Sequence, residues 1–393
     1  MANVLTNLIP SLYAGMDVVS REQAGYIPAV FRDSSAERAA VNQSITYGVA
    51  PPGTIGNVTP AMAIPEPTDQ TIGSDSIIIT KARVAEFGFV GEERLGLNTG
   101  PGFNVVQADM FSQALRLLTN EVESDLAAAA AANASRVIGT PSTPLFGTNT
   151  DSASQLLKVL KDNGAPPSEG QLVVDTTTGA ALRTLYGINT SRDFSKVPFQ
   201  DQGVLITPHG MSIRETGQPV AHTSGTGESA TTNSAGYAIG AVTITLASAG
   251  TGTVLAGDVV TFAGDSRQYA VKTGDSDVSN GGNIVLQEPG LMTAIGTSAT
   301  AVTIVGNQLS PDDSDYDVGG IAFFRNAIVL VARAPALPEG GDLASDRFMM
   351  VDPRSGLAFE VSVYKGYRKV RFEVALAWGV KVAQPRHTAM LIY

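Results

Sequence analysis

The stretch QADMFSQALRLLTNEVESDLAAAAAANASRVI, residues 107–138, carries the strongest periodicity of the chain. Phe111, Leu115, Leu118, Val122, Leu126 and Ala129 recur at steps of three and four, the repeat of one helical face. Ala127 to Ala132 is an unbroken run of the best helix former. Asp109 has the side chain of an N-cap, and Gly139 with Pro141 reads as the stop. At 1.5 Å per residue such a helix is about 45 Å long. A small globule cannot hide that length, so the helix is expected to act as a spine.

Upstream, Leu5, Leu8, Leu12 and Met16 are spaced for a short helix that Pro10 limits. Tyr26 to Phe31 reads as extended. Residues 41–73 hold Pro51, Pro52, Pro60, Pro65 and Pro67, which forbid a helix. Ile45, Tyr47, Val49, Ile55, Val58, Met62 and Ile64 nevertheless keep an apolar, roughly alternating pattern. Disordered linkers are seldom this apolar, so a long β-ribbon arm is expected. Ser76–Thr80 reads as a buried strand and Arg83–Val90 as an alternating one.

Downstream, Asp151–Asn163 and Thr177–Tyr186 read as helices. Gln171–Asp175, Gly203–Thr207 and Met211–Arg214 read as strands. A polar β module then interrupts this α/β pattern over residues 222–310. Val242, Ile244 and Leu246 alternate with threonines, and further short strands follow across Gly-rich turns. That spacing predicts a small antiparallel barrel or sandwich. Strands over 327–332, 348–351, 357–363 and 370–382 close the chain.

Composition narrows the function. Charged residues are 16% of 393, below the roughly 25% of ordinary soluble domains. A surface largely covered by other copies of itself would have such a composition, as would a plain Thr/Ser-rich β protein. The net charge of −11 argues against direct nucleic-acid binding as the main task. No cysteine is present, which removes disulfides, thiolate metal sites and a cysteine nucleophile. No signal-peptide pattern opens the sequence and no charge-free window reaches membrane-spanning length, so assembly in a cytoplasm, away from membranes, is expected.

Catalytic machinery is missing by inventory. His209, His222 and His387 are far apart, and no nucleophile elbow or Walker loop occurs. No enzyme activity and no cofactor are therefore expected. Asp313, Asp315 and Asp317 have the one-three-five spacing of a calcium loop. Val318 and Phe324, however, replace the glycine and glutamate that loop requires. A solvated acidic loop, or one meeting a basic patch on a neighbouring subunit, fits better. Lys365, Arg368, Lys369 and Arg371 supply such a patch at a strand turn. Trp378 is expected in the core.

The order of elements resembles the major capsid (coat) proteins of tailed bacteriophages with the Hong Kong 97 fold. It is most similar to the short-tailed Salmonella phage type, which carries an insertion domain. LAGDVVTFAG (255–264) is similar to that domain's Gly-Asp turn and following strand. IAFFRNAIVL (321–330) resembles the strand after the insertion. AWGVKVAQPR (377–386) resembles the C-terminal stretch, with Trp378 in place of a tyrosine and Pro385-Arg386 reversed.

The resemblance implies an α+β capsid fold with an inserted antiparallel β-barrel. Its parts would be an N-terminal arm (1–40), an extended β-loop (41–82) and a peripheral domain with the spine (83–145). An axial domain (146–221), the inserted barrel (222–310) and completing strands (311–393) would follow. It implies a structural subunit of an icosahedral shell around double-stranded DNA. The partners would be further copies of the chain in hexamers and pentamers, a scaffolding protein and a portal, with weak non-specific DNA contact. Ile55, Ile64, Asp313, Asp315, Asp317, Lys365, Arg368 and Lys369 are the candidate intersubunit contacts. The alternative from another class is an acidic β-rich surface or adhesion protein; an unrecognised hydrolase is a third reading.

Overall fold

A computed structural model describes residues 24–33, 37–49, 60, 73–97, 103–147, 149–166, 169–189, 208–306, 315–351 and 356–393. The expected N-terminal helix, the strand at 203–207 and the middle of the ribbon lie outside these residues. In chain order, β1 (Phe31–Asp33) precedes the ribbon strands β2 (Ser44–Val49) and β3 (Gly73–Ile78). β4 (Lys81–Val90) leads to α1 (Gly91–Leu97) and the spine α2 (Phe103–Ala132). Then come β5 (Arg136–Gly139), α3 (Asp151–Asp162), β6 (Gly170–Val174), α4 (Thr176–Asn189), β7 (Ser212–Glu215) and β8 (Ala221–Thr223). Short strands follow as β9 (Ala230–Thr231), β10 (Thr243–Thr245), β11 (Val259–Phe262), β12 (Gln268–Thr273), β13 (Asn283–Leu286) and β14 (Ala301–Val305). The series ends with β15 (Asp315–Phe324), β16 (Ile328–Arg333), β17 (Asp346–Val351), β18 (Ala358–Gly366), β19 (Lys369–Val382) and β20 (Thr388–Ile392).

The spine runs 30 residues, about 45 Å. It begins before Asp109, which is exposed inside the helix rather than capping it. It also ends before Gly139. Asn133 Nδ2 bonds back to Ala129 O at 2.8 Å, and Ser135 N is taken by Thr388 O at 3.0 Å. The chain therefore leaves the helix to enter a sheet, and Gly139 ends β5 instead. Ala127 and Ala130 complete the buried face; Ala129 is only half-buried.

Two sheets pack on this helix. In the first, β19 is central, with β4 along one side and β18 and β16 on the other, and β17 and β1 outside them. Phe372, Val374, Leu376 and Trp378 of β19 and Phe359, Val361 and Val363 of β18 alternate onto the spine's Phe111, Leu115 and Leu118. In the second sheet β20 lies between β15 and β5, followed outward by β6 and β7. Its strands bury both faces. Val173, Ile321, Phe323, Met390 and Ile392 share the spine's core, whereas Leu172, Val174, Ala322, Ala389 and Leu391 share the core of α3 and α4. The period-2 alternation assigns each residue to one face or the other.

Strands β9–β14 form a hydrogen-bonded path β9-β14-β11-β12-β13-β10. A bridge between Thr232 and Leu246 returns the path from β10 to β9, closing a ring. Its centre is filled by Ile244, Val260, Phe262, Tyr269, Val271, Ile284 and Ile304. The ring does not stand apart. Gln268 and Tyr269 pair with Val137 and Arg136 of β5, and Val259 and Ala270 join the main core.

Two local expectations are corrected. Residues 26–30 turn rather than extend: Tyr26 O accepts the N–H groups of Ala29 and Val30 at 2.9 and 3.0 Å. The buried carboxylate of Glu123 collects the neighbouring N–H groups and bends the chain. Ser76–Thr80 is not uniformly buried, because Ile77 and Ile79 point inward while Ile78 is exposed.

Candidate assembly surface

The tip of the β18–β19 hairpin is where the predicted cations gather. Gly366 pairs with Lys369, leaving Tyr367 and Arg368 as the turn. Arg368 has φ 55°, a left-handed conformation that glycine or asparagine usually takes. Its carbonyl accepts Gly91 N at 3.3 Å, which ties α1 to the turn. Lys365, Arg368 and Lys369 are exposed, and none forms an ion pair with an acidic side chain among the described residues. Arg371 differs: it is paired to Glu86 across the strands and to Glu373 at 2.6 Å.

Large apolar side chains are exposed in the turn itself and in the two segments bonded to this hairpin. Tyr367 is 91% exposed, Leu343 93% and Leu95 73%. Leu343 sits in a loop pinned to the hairpin. Asp342 accepts from Tyr364 Oη at 2.6 Å and from Arg347 at 2.5 Å. The tyrosine hydroxyl, then the Ala344 N–H and the Arg347 guanidinium, bring the Asp342 pKa down to about 2. One end of the first sheet thus presents three cations without an acidic partner among the described residues, on a backbone held by the Arg368–Gly91 bond. Such a surface suits an acidic, partly apolar partner.

The acidic residues fall elsewhere. Asp313 lies outside the described residues, as do Ile55 and Ile64. Asp315 opens β15 and pairs by backbone with Thr223, so the expected loop is strand from that point. Asp317 is exposed in β15, and its backbone exchanges hydrogen bonds with Tyr393 at 3.3 and 3.1 Å. Asp317 and the basic tip belong to different sheets of the chain. Among the described residues no cluster of His, Asp or Glu could hold a metal ion.

The root of the β2–β3 ribbon is firmly held. Lys381 pairs with Asp75 and donates to Ser76 O at 2.8 Å, and Tyr47 Oη donates to Asp75 at 2.7 Å. Desolvation, then the Asp75 hydrogen bond, pushes the Tyr47 pKa up to about 12. Ile77 and Ile79 pack with Val331 and Ala377 beneath. Nothing in the sequence pattern announces the Lys381–Asp75–Tyr47 group, or Leu343 and Leu95. Lys381 stands 306 residues from Asp75, beyond the reach of any local pattern.

No protein-family profile matches the chain, and no curated protein matches it. Among solved structures, the capsid of the Cyanophage P-SCSP1u is similar at TM-score 0.47 and 12% identity, over 92% of this chain and 86% of that one. A Mycobacterium phage Che8 structure is similar at TM-score 0.41 and 14% identity, over 90% and 85%. A virus-like particle from Pyrococcus furiosus is similar at 0.40 and 10%, over 97% of both chains.

Proposed function

We propose that this chain is a major capsid protein, a structural subunit that assembles with its own copies into an icosahedral shell around double-stranded DNA. The observation that carries the reading is a 30-residue helix laid along an antiparallel sheet, with a two-stranded ribbon rooted on that same sheet. A shell subunit needs such a spine, because it must be broad, thin and stiff. On this reading 1–40 is the arm, 41–82 the extended loop and 83–145 the peripheral domain. Residues 146–221 with 311–393 form the axial part, and 222–310 is an inserted barrel. Scaffolding protein, portal and DNA are the further partners, and the mature location is the virion.

The basic tip then meets an acidic patch on a neighbouring copy, with Asp313, Asp315 and Asp317 as the candidate patch. Ile55 and Ile64 bury apolar surface on another neighbour. The test is electron microscopy of the purified chain, expressed alone and with its scaffolding partner. Closed shells or capsomers are expected. A monodisperse compact monomer under all conditions contradicts the proposal.

A further inference from the structure

Asparagine stands directly before glycine twice in the chain, at Asn163-Gly164 and at Asn280-Gly281. The pair has a chemistry of its own. The glycine nitrogen can turn back on the side-chain carbon of the asparagine, because no Cβ blocks the approach or restricts the backbone rotation it needs. The fold sets the two pairs in opposite circumstances.

Asn163 closes α3, and its amide is taken at both ends. Arg136 Nη2 donates to its Oδ1. Its Nδ2 donates to Arg386 O at 2.7 Å and to Ser135 Oγ at 3.2 Å. The nitrogen that would attack is held too, since Gly164 N donates to Lys161 O at 2.9 Å. Reaction at Asn163 must first break these bonds.

Asn280 is exposed at the end of a single 3₁₀ turn, Val278–Asn280. Its side-chain amide makes no hydrogen bond among the described residues. Its own N–H reaches Asp277 O only at 3.3 Å, in a helix type whose bonds are poorly aligned. The Asp277 side chain caps the turn through Ser279 N and Ser279 Oγ, one residue short of Asn280.

The position matters to the ring of β9–β14. Gly282 O accepts Leu246 N at 2.8 Å, and Asn283 opens β13 opposite Thr245 of β10. Leu246 also makes the bridge to Thr232 that closes the ring. The fit at Gly282 is tight, since a Cβ there would fall 2.1 Å from Asp275 Oδ2. A longer main chain between 280 and 281 therefore shifts Gly282 away from Leu246.

We propose that Asn280 is a site of spontaneous deamidation, and that its isoaspartate form loosens the seam between β10 and β13. Gly281 N attacks Asn280 Cγ. The N–Cγ bond forms, the Cγ–Nδ2 bond breaks, and the Gly281 proton leaves with the ammonia. Water then opens the cyclic imide. Attack at Cγ gives aspartate. Attack at the main-chain carbonyl carbon gives isoaspartate, whose backbone runs through Cβ and Cγ and is one atom longer. Nothing is oxidised or reduced, and water is the sole co-reactant.

Peptide-mapping mass spectrometry of the full chain, aged in mildly alkaline buffer both folded and in urea, tests this. In the folded chain the Asn280 amide should become acid about tenfold faster than that of Asn163, or more, the effect of one held hydrogen bond on a barrier. In urea the two rates should converge, because the fold alone separates them. A methyltransferase specific for isoaspartate should label the aged folded chain, and Asn280→Gln should remove most of that label. Hydrogen exchange over 243–246 should quicken on ageing of the unaltered chain and not of Asn280→Gln. A folded-state rate at Asn280 no higher than at Asn163 overturns the proposal. So do rates that stay apart in urea, or a label undiminished by Asn280→Gln. Exchange over 243–246 that ignores ageing overturns the effect on the ring.

Discussion

Glu123 Oε1 lies 2.6 Å from the backbone nitrogen of Tyr26. The same carboxylate accepts from Gly25 N at 2.6 Å, Ile27 N at 3.0 Å and Thr216 Oγ1 at 3.0 Å. One buried acid in the middle of the spine thereby holds the entering chain and the segment after β7 together. Replacing it by alanine leaves those donors buried and unpaired. Each costs about 1–3 kcal/mol, so Glu123→Ala is expected to lower stability by roughly 3 kcal/mol or more in urea unfolding. A loss below about 1 kcal/mol shows the donors have found other partners.

The same group sets a pH dependence. Burial raises the Glu123 pKa above the ordinary 4.5, against the pull of its hydrogen bonds. The folded chain therefore holds the proton more tightly than the unfolded one. The stability from this group is fully present below the unfolded value and is lost as pH rises through the raised folded value. Stability relative to Glu123→Gln should fall over that window. Parallel curves for the two proteins across it contradict the assignment.

Trp378 is the only tryptophan, and it is fully buried. Its Nε1 donates to Asp125 at 2.9 Å, and Lys81 reaches the same carboxylate at 2.8 Å with its ammonium 5.9 Å from the ring. Asp125→Ala leaves the indole N–H buried and unpaired, at about 1–3 kcal/mol. In the double variant with Trp378→Phe that loss should shrink, because the orphaned donor is gone. Strict additivity in the thermodynamic cycle rules out the coupling.

Gly139 and Gly164 separate two kinds of glycine requirement. Both have positive φ, 123° and 78°. A Cβ on Gly139 falls 2.0 Å from Ile392 O, whereas nothing lies within 4 Å of one on Gly164. Gly164→Ala should cost only the left-handed strain, about 1–2 kcal/mol. Gly139→Ala must push β5 off β20 and is expected to prevent a stable fold. Equal melting temperatures for the two variants contradict this.

If the chain builds a shell, no lysine before Lys81 is available for a cross-link in the extended loop, and no cysteine exists anywhere. Intact particles boiled in denaturant should run as one band near 40.7 kDa. A boiling-resistant ladder refutes non-covalent assembly. Ile55→Asp with Ile64→Asp, and separately Lys365→Glu with Lys369→Glu, should block assembly while circular dichroism stays unchanged. Normal particle yield from either pair removes those residues from the contact.

The spine was readable because Phe111 to Leu126 carry their own period, and the strands of β19 and β18 because their apolar residues alternate. The ends of the spine were not, since they are set by Thr388 and by chain entry into a sheet rather than by Asp109 and Gly139. Sheet order was hidden as well: Phe31 lies beside Val329, and no local pattern encodes such a distance. No sequence signal marks Glu123 or Asp125, yet one is buried and the other holds an indole. Of the expected contact residues, the basic tip and Asp317 have a described surface, and Arg371 is occupied by Glu86 and Glu373.

The central place of β20 has a consequence in time. Strand 388–392 separates β15 from β5, so Val137 and Ile321 keep an open sheet edge until residue 392 has been made. β20 is made after every other strand of this sheet, so the sheet cannot close before it. Until then a nascent chain carries unpaired apolar strands, which invites chaperone capture and aggregation. A product that stopped short of β20 would lack the middle of the sheet, not its margin. The order of synthesis thus sets when this sheet can become whole.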